Sequence, residues 1–274
     1  MGRSRSATQH EAGGREVKGP LDLGCFPTGL HYPGVAHLLR VAAIGVCEEV
    51  PVEHEVVRLP LVAIDTETTG RDPNVDRIVE VAAVIWDGTG ISERFSWLVN
   101  PGCPIPPETT EVHGITDADV ADKPPFAEIL PDLLAVLKGR VPLAYNAEFD
   151  KRFLMAEYAR CSMADFQAGV SHSPANQVPA FRRNIEWVDP LVWVREVQKD
   201  EKSKALGDVC ERLQIPLTNA HRATHDAEAA LLVLHAVLPD MRIPRTYAAF
   251  LQEQRRLSRQ QDEERARWRR DRST

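Results

Sequence analysis

The sequence predicts an α/β fold, a mixed sheet covered by helices, and three observations point to it. Three runs of apolar and β-branched residues follow one another closely between residues 61 and 99, separated by turn signals. Beyond residue 120 the apolar residues take up helical spacing, and helical stretches then alternate with short apolar runs. The resulting order is β-β-β-α-β-α-β-α-α. Strands that first pair as neighbours and later alternate with helices give a sheet of mixed direction.

Leu61 to Ile64 is a short apolar run ending in an acidic turn, so it reads as a buried strand. Arg77 to Trp86 is rich in Val and stops at Asp87-Gly88, a turn pair. Phe95 to Val99 forms the third strand, closed by Asn100-Pro101. Phe126, Leu130, Leu133, Leu134 and Leu137 have helical spacing. Val141 to Ala144 reads as a strand, Asp150 to Arg160 as a helix, and Trp187-Val188 as a short strand. Lys204 to Leu213 and Ala223 to Leu238 are expected helices, the latter stopped by Pro239. Between them, Cys161 to Glu186 reads as one long loop.

Outside this organised span, 61–240, the pattern weakens. Residues 1 to about 20 are rich in Gly, Ser and charge and are expected to be disordered. Val35 to Val46 suits a short helix, and Val50, Val52, His54 and Val56 alternate like an edge strand. Residues 1–60 are thus an N-terminal extension, partly disordered. Residues 241–274 form a charged C-terminal tail that suits an exposed, solvated helix. Its seven arginines from Arg255 to Arg270 also allow a nucleic-acid or partner arm.

Composition narrows the function class. With 274 residues, 43% hydrophobic and 27% charged, the chain suits a sizeable folded domain with extensions. A net charge of −7 argues against a passive coat on duplex nucleic acid. It does not argue against an enzyme whose bound cations supply the positive charge. Five scattered cysteines, Cys25, Cys47, Cys103, Cys161 and Cys210, contain no C-x-x-C pair and read as reduced thiols in a cytosol. No apolar run has the length of a membrane span, so no membrane is expected as a partner.

Three short segments carry the chemistry. Asp65 and Glu67 end the first strand, and side chains two apart on an extended chain share a face. Asp150 opens a helix after "YNAEF", and Asp226 opens another in "HRATHDA". Each has a plain alternative: a surface turn for the first pair, a helix-terminal carboxylate for Asp150 and Asp226, a loop position for His221. Together they are more specific. Converging carboxylates repel one another and resist burial, and hard divalent cations with oxygen ligands relieve this. His221 and His225, four apart, raise a zinc alternative, although no H-E-x-x-H motif is present.

"IDTETTG", "YNAEFD" and "HRATHDA", in that order, resemble the three motifs of the DnaQ-like exonucleases, the DEDD superfamily whose third motif carries a histidine. "DRIVEVAAV" and "LVNPGCPIPPETTEVHGITDADV" extend the resemblance over about residues 61 to 240. The resemblance implies an RNase H-like fold, a five-stranded mixed sheet with helices on both faces. It implies a 3′→5′ exonuclease that uses two Mg2+ or Mn2+ ions on single-stranded DNA or RNA 3′ ends, with a DNA polymerase as a further expected partner. By motif position Asp65, Glu67 and Asp226 are expected metal ligands, with Asp65 bridging the ions. Asp150 is expected to reach the metal through a bound water, and His221 to be the general base. His225 falls at a variable position and is given no role. Thr66, Thr68, His113, Tyr145, Asn146 and Phe149 are the expected substrate contacts. His113 has a local alternative, a turn residue satisfied by its own hydrogen bond. Tyr145 stands where many relatives have histidine, which leaves the ligand set intact and puts the nucleotide contacts in doubt. Two rival readings are an RNA-trimming exonuclease of the same family and a catalytically silent nucleic-acid-binding module.

Overall fold

Leu61, Val62, Ala63 and Ile64 are all fully buried, because the strand they begin lies between two others and is covered on both faces. The computed structural model describes residues 45–167, 178–217 and 222–271. Strand β1 (Leu61–Thr68) pairs antiparallel with β2 (Ile78–Trp86) and parallel with β4 (Val141–Leu143). Strand β3 (Ile91–Leu98) pairs antiparallel with β2 and forms the edge, so the order is β3-β2-β1-β4. The mixed sheet predicted from the element order is therefore present, with four strands among the described residues. The fifth expected strand, Trp187-Val188, is reduced to one parallel bridge, Leu143 to Val188. Two apolar residues are too few for a ladder when the next residue, Asp189, already caps a helix.

The helices are α1 (Pro107–His113), α2 (Asp117–Val120), α3 (Phe126–Leu137) and α4 (Glu148–Gln167). They continue as α5 (Pro190–Val197), α6 (Leu206–Arg212), α7 (Ala223–Val237) and α8 (Tyr247–Asp271). Alternation along β1 sorts them into two layers. Leu61 and Ala63, with Ala82 and Val84 of β2, face a core shared with α5, α7 and α8. Val62 and Ile64, with Val81 and Ala83, face a second core shared with α3 and α4. Helices thus cover both faces of the sheet. Ala223, Ala227 and Ala230 are small and buried on one stripe of α7, which lets that helix lie close to the sheet.

Several local expectations change. β3 begins at Ile91, four positions before the expected Phe95, because its polar Ser92-Glu93-Arg94 stretch is exposed at the sheet edge. α4 runs on to Gln167, so part of the expected Cys161–Glu186 loop is helix. Val50 to Val56 is not a strand. It forms turns, a single bridge from Glu55 to Thr246 and a 3-10 turn at Val56–Arg58. Residues 1–44, including nearly all of the expected Val35–Val46 helix, lie outside the described residues. The C-terminal segment is helical as expected, but its first turns are not a solvated face. Tyr247, Phe250, Leu251 and Leu257 are buried in the same cluster as Val46, Val56 and Leu61. Among the described residues no helix is long and apolar enough to cross a membrane, and Cys47, Cys103, Cys161 and Cys210 are free thiols.

Candidate active site

The parity of β1 decides where each acidic group goes. Asp65 and Glu67 continue the face of Leu61 and Ala63, which is the face covered by α7. Asp226 lies in the first turn of α7, one turn beyond Ala223 on the helix's buried side. Carboxylate oxygens of Asp65, Glu67 and Asp226 accordingly meet within 4.8 Å of one another. A register shift between Glu67 and Thr68 bends the strand as it leaves the site. Gly70 completes the turn, and a Cβ there would collide with the Asp76 carboxylate.

Asp150 arrives from the other layer. It lies in the first turn of α4, and Thr66, which points to that face, holds it. The Thr66 N–H donates to Asp150 Oδ1 at 3.0 Å and the Thr66 hydroxyl to the same oxygen at 2.8 Å. Asp150 therefore stands beside the three-carboxylate cluster and is not one of its members. His221 lies outside the described residues.

Electrostatics favours protonation wherever no cation is bound. Burial, then the charges of Asp150, Glu67 and Asp226, raise the Asp65 carboxyl well above its usual range. Burial, then Asp226 and Glu80, push Glu67 up to about 8. Burial pushes Asp150 up to about 7, against the lowering effect of the Thr66 bonds. Four acidic groups crowded at this cost match a hard divalent cation: the donors are all oxygen and their combined charge asks for compensation. Among the described residues, no cysteine or histidine joins the cluster; His221, on which the zinc alternative rests, lies outside them.

The expected substrate contacts are distributed unevenly. Thr66 and Thr68 are buried; the Thr68 hydroxyl donates to the Gly70 carbonyl at 2.6 Å. Asn146 is exposed with φ 70°, a left-handed conformation that asparagine tolerates and the turn from β4 into α4 requires. Phe149 is half-buried and packs on Phe153 with ring centroids 4.9 Å apart. His113 is buried, and its Nδ1 accepts the Ile115 N–H at 3.0 Å, the expected local bond. Its Nε2 is buried near the Thr68 backbone without a well-formed hydrogen bond among the described residues, and burial, partly offset by Thr68, holds its imidazole below the ordinary range. Tyr145 is turned into the α7-side core, with its hydroxyl donating to the Lys204 carbonyl at 2.6 Å.

Two supports escaped the sequence reading. Glu80, 1% exposed, is paired in register with Glu67 and sits on the same face. Its Oε1 accepts the Ser96 hydroxyl at 2.7 Å and meets Arg222 Nη2 at 3.3 Å, tying β2 to the residue before α7. The lone carboxylate inside the apolar run Ile78 to Ile85 was the available signal. Asp189 caps α5 through the Leu191 N–H and also accepts the N–H groups of Asn146 and Ala147, at 3.0 and 3.1 Å. Gln254 of α8 in turn accepts the Asp189 N–H and donates to the Trp187 carbonyl. No local pattern marks either contact, since the partners are far apart in the chain.

Fold and site together define an α/β protein with a half-buried centre of three carboxylates, among the described residues, at the end of its central strand. The exonuclease family model RNase_T matches residues 62–234, more than half of the chain, and the chain belongs to that family. DNA polymerase III subunit epsilon of Treponema pallidum is 46% identical over 99 residues, 36% of this chain and 46% of that protein. A PolC-type DNA polymerase III of Streptococcus thermophilus is 29% identical over 224 residues, 79% of this chain and 14% of that protein. The chain thus spans less than half the length of these relatives. Among solved structures, E. coli exonuclease I in complex with a dT13 oligonucleotide has a TM-score of 0.53 and 19% identity, covering 66% of this chain and 41% of that one. That likeness concerns the fold.

Proposed function

We propose that the protein is a metal-dependent 3′→5′ exonuclease that releases nucleoside monophosphates from single-stranded DNA. The observation that carries this reading is the meeting of Asp65, Glu67 and Asp226 oxygens within 4.8 Å at a half-buried strand end. Asp65, Glu67 and Asp226 would hold divalent ions, Mg2+ or Mn2+, with Asp150 as an outer ligand. Bound there, two such ions supply an activated water and compensate the charge on the leaving 3′-oxygen. Thr66 fixes the Asp150 carboxylate with two hydrogen bonds, so its free oxygen keeps one orientation. His221, assigned from its motif position, accepts the proton of the attacking water. His113 contributes a buried Nε2–H, the tautomer set by its accepting Nδ1, to an acceptor of the terminal nucleotide. Tyr145 lends a wall to the motif II turn and no direct contact, since its hydroxyl is engaged by Lys204.

The DNA polymerase III names of two relatives support DNA as the polymer and proofreading or repair, in the cytosol and beside a polymerase, as the setting. The test is degradation of 3′-labelled single-stranded DNA and RNA with Mg2+, Mn2+ or chelator. Metal-dependent loss of the DNA 3′ nucleotide is expected. No loss from either polymer with any metal ends the exonuclease reading, and loss from RNA alone ends the DNA assignment.

A further inference from the structure

A groove of about 610 Å3 opens between the end of α5, the loop carrying Lys204 and the outer half of α8. Its cations are Arg195, Lys199, Lys204 and Arg265, against two carboxylates, Glu196 and Glu264. This local excess of positive charge stands on a chain of net charge −7. Lys199 is paired with Glu196 at 3.0 Å, and Arg265 is paired with Asp262. Arg195 differs. It is half-buried and forms no hydrogen bond or ion pair with the described residues. Burial, and then the charge of Arg265, hold its guanidinium below the ordinary range. Asp189 and Asp262 compensate this only in part, and a half-buried guanidinium with no hydrogen-bond acceptor among the described residues, beside a second guanidinium, suits an anion. Trp268, 59% exposed, adds an aromatic face to the same groove.

One hydrogen bond links the groove to the motif II turn. Lys204, on its rim, accepts the Tyr145 hydroxyl through its carbonyl, and Tyr145 directly precedes the motif II turn that leads to Asp150. A strand whose 3′ end lies at the carboxylates would pass this turn on its way to the groove. We propose that the groove binds the single strand upstream of the nucleotide being cut, with Arg195 and Arg265 on its phosphates and Trp268 stacked on a base. An aromatic face beside cations suits a nucleic acid better than an acidic peptide, because every base offers a π-face. The proposal rests on the exonuclease reading for its substrate and extends it to a second contact region.

The test uses the full chain in chelator, so that nothing is cut, with fluorescent oligothymidylates of about 4 and about 16 nucleotides. The longer strand is expected to bind more tightly. Arg195→Ala and Trp268→Ala should each weaken the longer strand by about tenfold, within the range seen for stacking and phosphate contacts. Both should leave the shorter strand unchanged, and with metal restored they should leave kcat on it unchanged. The slope of log K against log salt should fall by about 0.7 for Arg195→Ala. Trp268 is exposed, so its variant reports on the groove even if Arg195→Ala folds poorly. Equal affinity for both lengths, or no effect of either variant on the longer strand, overturns the proposal. So does displacement by polyglutamate as effective as by the longer oligonucleotide, which would make the groove an acidic-protein site. Wild-type protein that cuts neither length refutes the exonuclease reading instead, while the binding comparison still judges the groove.

Discussion

Asp65 sits where burial and four other carboxylates raise its proton affinity, so a group central to the proposed site opposes the fold when no cation is bound. If Asp65 holds the metal as proposed, Asp65→Asn should lower exonuclease turnover by on the order of a thousandfold. The same change should raise the melting temperature of the metal-free protein, because it removes a buried like charge. Thermal scans with and without Mg2+ check this: wild-type protein gains stability with Mg2+, and the variant gains little. Glu80 poses a different question, as its pairing with Arg222 places the start of α7 against β2. Glu80→Gln should lower kcat between about tenfold and a hundredfold with KM nearly unchanged, the mark of a misplaced group rather than lost binding. Arg222→Lys should recover more activity than Arg222→Ala. A matched fall in folding stability with no kcat effect would assign the pair a purely structural role.

At the level of elements, two ties hold helices to the sheet. Glu157 of α4, almost wholly buried, receives Arg77 through Nε at 2.7 Å and Nη2 at 3.0 Å, anchoring α4 at the start of β2. Glu157→Ala leaves a partly buried guanidinium unpaired and should cost about 3 kcal/mol in urea unfolding. Gln254 of α8 bonds the backbone on both sides of Val188, at the Trp187 carbonyl and the Asp189 N–H, and through Asp189 it supports the motif II turn. Gln254→Ala should cost about 1–3 kcal/mol and loosen that turn, visible as faster amide exchange at Asn146 and Ala147. The edge strand shows why element boundaries drifted in the sequence reading. An edge residue such as Glu93 has one face in water, so β3 lacks the apolar run that made β1 and β2 easy to recognise.

For the whole molecule, pH and metal act through the same groups. Glu67, at about 8, and Asp150, at about 7, hold protons in the fold at pH values where the unfolded chain, with ordinary carboxyls near 4, has released them. The folded state therefore binds more protons in that window, and stability of the metal-free protein falls as pH rises through it. His235 acts in the opposite sense. Burial against Trp86 lowers it to about 4, so the unfolded state takes up its proton first and stability falls as pH drops below about 6.5. Above pH 6.5 the raised carboxyls set the sign of the slope, with Lys151, lowered by burial, opposing them toward alkaline pH. The metal-free melting temperature should fall from pH 6.5 to 8.5, and Mg2+ should raise it more at pH 8 than at pH 6, since binding requires the ionised groups. A metal effect independent of pH would separate the carboxylate cluster from the cation site.

The sequence alone did not mark α1, α2 or α5, but it determined the three leading strands, the helices and β4 that alternate after them, the mixed sheet, and the acidic residues at the end of β1 and the starts of α4 and α7. These features are written in local periodicity: alternation along Leu61 to Glu67 assigns Asp65 and Glu67 to one face, and the alanine stripe of α7 brings Asp226 to it. Only the tertiary structure decided that Asp150 comes from the opposite face on Thr66, and that Tyr145 turns inward. It also decided that Trp187-Val188 stops at one bridge and that the charged C-terminal helix buries its first turns beside β1. Those outcomes depend on contacts between residues far apart in the chain, such as Thr66 with Asp150 and Glu80 with Arg222. Local pattern records which face of an element is apolar, whereas packing selects the partner that covers it.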